Sequence, residues 1–341
     1  ANDTNITVSQ ANNLASKTTG TLTATISNGD MATLNSLEGT GNVYAITVAD
    51  ASGDMGELNA LNAKTTGVLT VAAVNTLTGT SAELTTMLNG QALTTNATGF
   101  TGFNAAEAIV LSDAITRATA ETAMAATTAG VTATISDTLA NFVQLTETAL
   151  HAFTYQVSET TVDAANVLLA DARSTVAIDL SNVTSVTGDF TEIQDMYQAA
   201  GFASAGHTAA SPVTLTGLGN EAISADDATI TVAFANILDA FTSGPVTATI
   251  ATGVESVLDG LNGAGNAYTL NVDDDTSVDI TALLSLNAKT TVAVNLNLVD
   301  IDNNTLLTGT HSEIKSLFSM AQNGEFSNLA ANLPITVEGG I

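Results

Sequence analysis

Thr23-Ala24-Thr25-Ile26 returns as Thr132-Ala133-Thr134-Ile135 and again as Thr247-Ala248-Thr249-Ile250, at spacings of 109 and 115 residues. Working outward, the run VYAITV ending at Val48 returns as FTYQV ending at Val157 and as YTLNV ending at Val272, at the same two spacings. LNAKTT at 61–66 returns at 286–291, and ADARST at 170–175 stands in the middle position. The segment from Thr78 to Leu84 is matched from Thr187 to Ile193 and from Thr308 to Ile314. Four anchors in one order at nearly constant offset mark a repeat protein. They define three tandem modules: 1–103, 104–219 and 220–341.

A shorter period lies inside each module. Ile26 to Val48, Ile135 to Val157 and Ile250 to Val272 are each 22 residues. Each interval holds a β-branched run that reads as strand. Each also holds an apolar segment at helical spacing: Leu34/Leu37, Leu58/Leu61, Leu258/Leu261, or ALLSL at 282–286. The fold expected is a β-rich repeat solenoid, with parallel strands, short helices or 3₁₀ turns, and about 22 residues per rung. Thr80/Glu83, Asp189/Glu192 and Thr310/Glu313 have capping-box spacing. They predict one α-helix per module, ending near Gly90, Gly201 and Gly324. The stretches 91–103, 202–220 and 325–341 read as irregular connectors, each with an added strand. Pro212–Gly219 is echoed by Pro334–Gly340. Together with a first residue that is Ala and no leader pattern after it, the echo suggests a processed chain or a piece of a longer one.

Composition bounds the function. Six Lys+Arg stand against 34 Asp+Glu in 341 residues, a formal charge of −28. Six cations make no nucleic-acid footprint, and the negative field opposes binding to anionic lipid. No apolar run reaches the roughly 18–20 residues of a membrane-spanning helix. With no Cys, disulfides, thiolate zinc sites and thiol catalysis are excluded. Apolar residues are 45% of the chain and only 12% are charged, so the chain folds and its surface is Thr-, Ser- and Asn-rich.

Chemistry is sparse. His151, His207 and His311 read as incidental surface residues, since no G-x-S-x-G serine accompanies them. Glu83, Glu192 and Glu313 are explained as caps rather than as a glycan-cleaving pair. Hard oxygen ligands crowd one turn at Asp273-Asp274-Asp275 with Asp279, so Asp273, Asp275 and Asp279 are the candidate calcium ligands. Asp50 and Asp54, and Glu159 and Asp163, occupy the corresponding turns, and Asp300 and Asp302 form another acidic group. The Thr23/Thr25, Thr132/Thr134 and Thr247/Thr249 pairs suggest an ice-binding row, but the next rungs read AITV, TYQV and TLNV and break it.

The TATI, VYAITV and LNAKTT blocks resemble the repeats of very large secreted bacterial proteins, particularly cyanobacterial ones, of S-layer-like, adhesin-like and haemolysin-type classes. The resemblance covers nearly the whole chain, although the calcium-binding nonapeptides of the toxin members are missing. It implies a non-enzymatic extracellular or cell-surface protein. Copies would join head to tail or laterally into a layer, sheath or filament, with ITV at 6–8 and PITV at 334–337 available as donated strands. Calcium is the cofactor it allows. The alternatives are an adhesin or phage-fibre segment that binds a cell-surface glycan through connectors bearing Phe100, Phe103 and Phe202, and a polysaccharide-processing enzyme.

Overall fold

The computed structural model describes residues 5–89, 93, 99–146, 151–204, 207–273, 277–296, 306–329 and 333–338. It is an α/β fold with several parallel sheets and, among the described residues, 12 helices. The chain divides into two compact units: Ala1–Gln156 with Ala170–Ile178, and Val157–Leu169 with Asp179–Ile341.

The first unit runs α1 (Val8–Ala15), β1 (Thr23–Thr25), α2 (Met31–Leu34), β2 (Val43–Thr47), β3 (Ser52–Asp54), α3 (Met55–Asn62), β4 (Leu69–Thr70) and β5 (Thr76–Gly79). It continues with α4 (Ser81–Leu88), β6 (Phe100–Thr101), β7 (Ala108–Ile115), α5 (Arg117–Ala126), β8 (Val131–Ile135), α6 (Leu139–Phe142) and β9 (Ala152–Tyr155). Its sheets are ordered β1-β2-β4-β6 and β3-β5-β7-β8-β9. Every strand pair in them is parallel.

The second unit holds β10 (Thr161–Asp163), then β12 (Ser185–Gly188), α8 (Phe190–Ala199), β13 (Leu215–Thr216), β14 (Ala222–Ala225), α9 (Val232–Phe241), β15 (Val246–Thr249) and α10 (Glu255–Leu258). After these come β16 (Ala267–Thr269), β17 (Ser277–Asp279), α11 (Ile280–Lys289), β18 (Val294–Asn295), β19 (Leu306–Thr310), α12 (His311–Gln322), β20 (Phe326–Ser327) and β21 (Ile335–Glu338). Its sheets are β10-β12-β14-β15-β16, β17-β19-β21 and β18-β20. These pairs are also parallel. In sequence, α7 (Ala164–Asp171) and β11 (Ile178–Asp179) straddle the division.

The apolar side of each rung faces inward. Tyr44, Ile46 and Leu69 come from strands, Ile26 from the bridge that follows β1, and Leu34, Leu58 and Leu61 from helices; all are buried. Full burial of one such side chain stabilises by about 1.5–3 kcal/mol. That exceeds what a cap supplies, about 1 kcal/mol. Four-residue helices such as α2, α6 and α10 cannot persist alone; their buried Leu34, Phe142 and Leu258 hold them.

Three expectations are corrected. The chain is more helical than a β-rich repeat, because Leu and Ala at helical spacing follow side-chain caps at α1, α3 and α9 as well as at the three capping-box sites. Rungs vary in length: Thr23 pairs with Val43, Ser52 with Thr76, and Thr76 with Ala108. Finally, Pro334–Gly340 does not correspond to Pro212–Gly219. Leu307 pairs with Ile335 as Val186 pairs with Ile223 and Leu77 with Ile109, so the counterpart of Ile335 is Ile223. A Pro followed by a β-branched run is a weak anchor, and register along the sheet is the firmer one. The connectors do carry added strands, β6, β13 and β20. Gly90 lies outside the described residues.

Candidate assembly surfaces

The recurrent polar residues bond one rung to the next. In LNAKTT, Thr65 Oγ1 donates to the Tyr44 carbonyl at 2.8 Å and accepts from the amides of Tyr44 and Gly67. Ser174, Thr290, Thr127 and Thr242 repeat the arrangement, donating to the carbonyls of Phe153, Tyr268, Glu107 and Glu221. The amides of Val176, Val292, Ala129 and Gly244 return the bond. Lys64 donates to the carbonyl of Asn35, at the C-terminus of α2. Lys289 does the same at the C-terminus of α10, through the carbonyls of Asp259 and Leu261, and pairs with the Asp259 carboxylate at 3.1 Å. A cation at a helix C-terminus complements its dipole.

Several acidic residues cap helix N-termini. Glu83, Glu192 and Glu313 complete capping boxes. A second device caps the first helical amide from a later rung. Met31 N donates to Asp50, Ser81 N to Asp113, Arg117 N to Asp137, and Phe190 N to Asp227, at 2.7–3.1 Å. Bonds from the Ser81 hydroxyl and amide hold Asp113 below the usual carboxylate range. The Asn141 side chain, then the amides of Arg117 and Thr138, do so for Asp137. The Thr310 amide and hydroxyl, then the Thr281 hydroxyl, lower Glu313.

Of the proposed calcium ligands, Asp279 caps α11 by accepting from Thr281 N at 2.8 Å, and Asp273 is exposed at the end of a bridge. Asp275, Asp300 and Asp302 lie outside the described residues. Among the described residues no three acidic or histidine side chains gather as a metal site. Asp54 and Asp163, named with this group, cap α3 and α7.

His151 is not a surface residue. It is 5% exposed, and its Nδ1 accepts from Val131 N at 3.2 Å. Asn42 and Asn266 hold the same place in their modules, accepting from Leu22 N and Val246 N. The change from Asn to His hides this equivalence in the sequence. His311 opens α12 in an exposed position, and His207 bridges to Ser204. Connector aromatics are packed rather than displayed. Phe100 and Phe103 are buried, and Phe202 lies edge-on to Tyr197 and Phe241. A shallow cavity of 530 Å³ is lined by Ala203, Ser204, Asn236, Ile237, Ala240 and Phe241 among others, none of them titratable.

Among the described residues, β21 and β1 present open strand edges. β21 pairs with β19 on one side, and all four of its residues are exposed. β1 pairs with β2 on one side; on the other, among the described residues, Ile6 bridges Ile26 just past the strand and donates its amide to Thr25 O. An open strand edge with apolar side chains is a template for further pairing. No protein family, curated protein or solved structure matches the chain.

Proposed function

We propose that this chain is a non-enzymatic structural repeat protein of the extracellular or cell-surface kind, which assembles with copies of itself into a layer, sheath or filament. In this reading the parallel sheets wind as a solenoid: within each sheet the strands follow chain order, and each crossover carries helix or turn.

One observation carries the proposal. The residues that recur along the chain serve the backbone of the repeat: Thr65 and its counterparts bond carbonyls one rung away and Lys64 and Lys289 bond helix C-termini of earlier rungs, while Glu83, Glu192 and Glu313 cap the helices within their own rungs. What repeats is therefore the building unit, and among the described residues the first and last rungs each present an open strand edge. The glycan-binding alternative loses its proposed aromatic platform, because Phe100 and Phe103 are in the core.

Negative-stain electron microscopy of the purified chain, in EDTA and in millimolar calcium, tests this. Regular filaments or sheets in both solutions are expected, since Asp54, Asp163 and Asp279 of the acidic turns act as caps. Isolated particles in both would overturn the proposal. Assembly in calcium alone would return the turn of Asp273, Asp275 and Asp279 to the role of a metal site.

A further inference from the structure

Two joints inside the chain share one construction. In the first, β5, β7 and β8 pair in parallel and α5 packs on α4. In the second, β12, β14 and β15 pair in parallel and α9 packs on α8. Registers agree: Ile109 faces Val131 and Val110 faces Thr132, while Ile223 faces Val246 and Ser224 faces Thr247. In both, the isoleucine amide donates across the joint, to Gly130 O at 3.2 Å and to Pro245 O at 3.0 Å. On the helices of the second joint, Phe190 stacks on Phe234 at 3.9 Å and Tyr197 on Phe241 at 4.8 Å.

Among the described residues, the first and last rungs each hold half of this construction. β19, β21 and α12 correspond to β12, β14 and α8. Ile6, α1 and β1 correspond to Ile230, α9 and β15, which bear the same isoleucine bridge, Ile6 to Ile26 and Ile230 to Ile250. Residues buried at the internal joints are uncovered at the ends. Ile335 is 40% exposed where Ile109 and Ile223 are at most 1%. Phe318 is 37% exposed where Tyr197 is 0%, and Leu14 is 48% exposed where Ala123 and Leu238 are 0%. Leu22 is half-buried where Val131 and Val246 are fully buried.

We propose that a second copy of this chain supplies the missing half: β21 of one copy pairs in parallel with β1 of the next, Ile335 opposite Leu22 and Thr336 opposite Thr23, with α12 seated on α1. The Ile335 amide, which faces away from β19 because Leu307 N donates to Pro334 O, then donates to the Thr21 carbonyl. Lys17, the counterpart of Phe241, comes to lie against Phe318, where an ammonium over an aromatic face is favourable. The two half-joints differ, so the contact is heterologous and propagates. This joint rests on the assembly reading above and assigns its contact.

The chain has no cysteine, so introduced thiols are the only ones present. Thr23→Cys and Thr336→Cys both fall on exposed positions. Each variant is treated with a short bis-maleimide crosslinker alone, and then the two are mixed. The joint predicts a crosslinked dimer in the mixture and none from either variant alone. If the unmodified chain sediments as an assembly but the mixture gives no dimer, or Thr336→Cys alone gives as much, the joint is wrong and the assembly reading stands. If the unmodified chain stays a monomer and no dimer forms, both fall.

Discussion

At the scale of single residues, Thr65 and its counterparts tie one rung to the next. One buried hydroxyl serves the carbonyl and amide of Tyr44 in β2 and the half-buried amide of Gly67. Thr65→Val keeps the shape and removes the oxygen, leaving those groups without it. A loss of about 1–3 kcal/mol is expected, since an unsatisfied buried polar group costs that much. Urea denaturation of the variant against the parent measures it, and an unchanged midpoint would count against the ladder. The LNAKTT repeat is plain in the sequence, but its role is not, because the groups it serves lie a full rung away. His151 shows the same limit: a His replacing an Asn at one of three matching places carries no local sign of burial.

At the scale of helices, caps divide into those a sequence displays and those it hides. Thr80/Glu83, Asp189/Glu192 and Thr310/Glu313 are local pairs three residues apart and legible as such; Thr7/Gln10 obeys the same rule. The caps from Asp50, Asp113, Asp137 and Asp227 are not legible, because each reaches a helix 19 to 37 residues earlier. Those acids, read one turn at a time, resemble cation ligands.

The hidden caps have a pH signature. Asp113 is held below its ordinary value when folded. Its contribution is therefore complete above the unfolded value, about 3.9, and disappears as the pH falls through the folded one. Acidification also relieves the self-repulsion of a chain at −28, so the effect is read as a difference. The stability advantage of the parent over Asp113→Asn should be constant from pH 7 to about 5 and shrink below about pH 4. An advantage that persists unchanged to pH 2 would contradict the cap.

At the scale of the whole molecule, the repeat is legible because four anchors keep their spacing. How modules join is not, because β7 and β14 begin in stretches with little likeness to β21, and only register reveals the correspondence. The central claim is that the open edges of the series are the halves of one joint and drive self-assembly. Sedimentation velocity across a hundredfold range of concentration tests it most directly, with the parent beside a variant carrying Ile335→Pro and Phe318→Lys. Proline removes only an outward-facing amide from an edge strand, where it is tolerated. The second substitution sets an ammonium against Lys17 of the next copy. The account predicts species growing with concentration for the parent and a folded monomer throughout for the variant. A parent that sediments as a single monomeric species at every concentration, or a variant that assembles as the parent does, would contradict it.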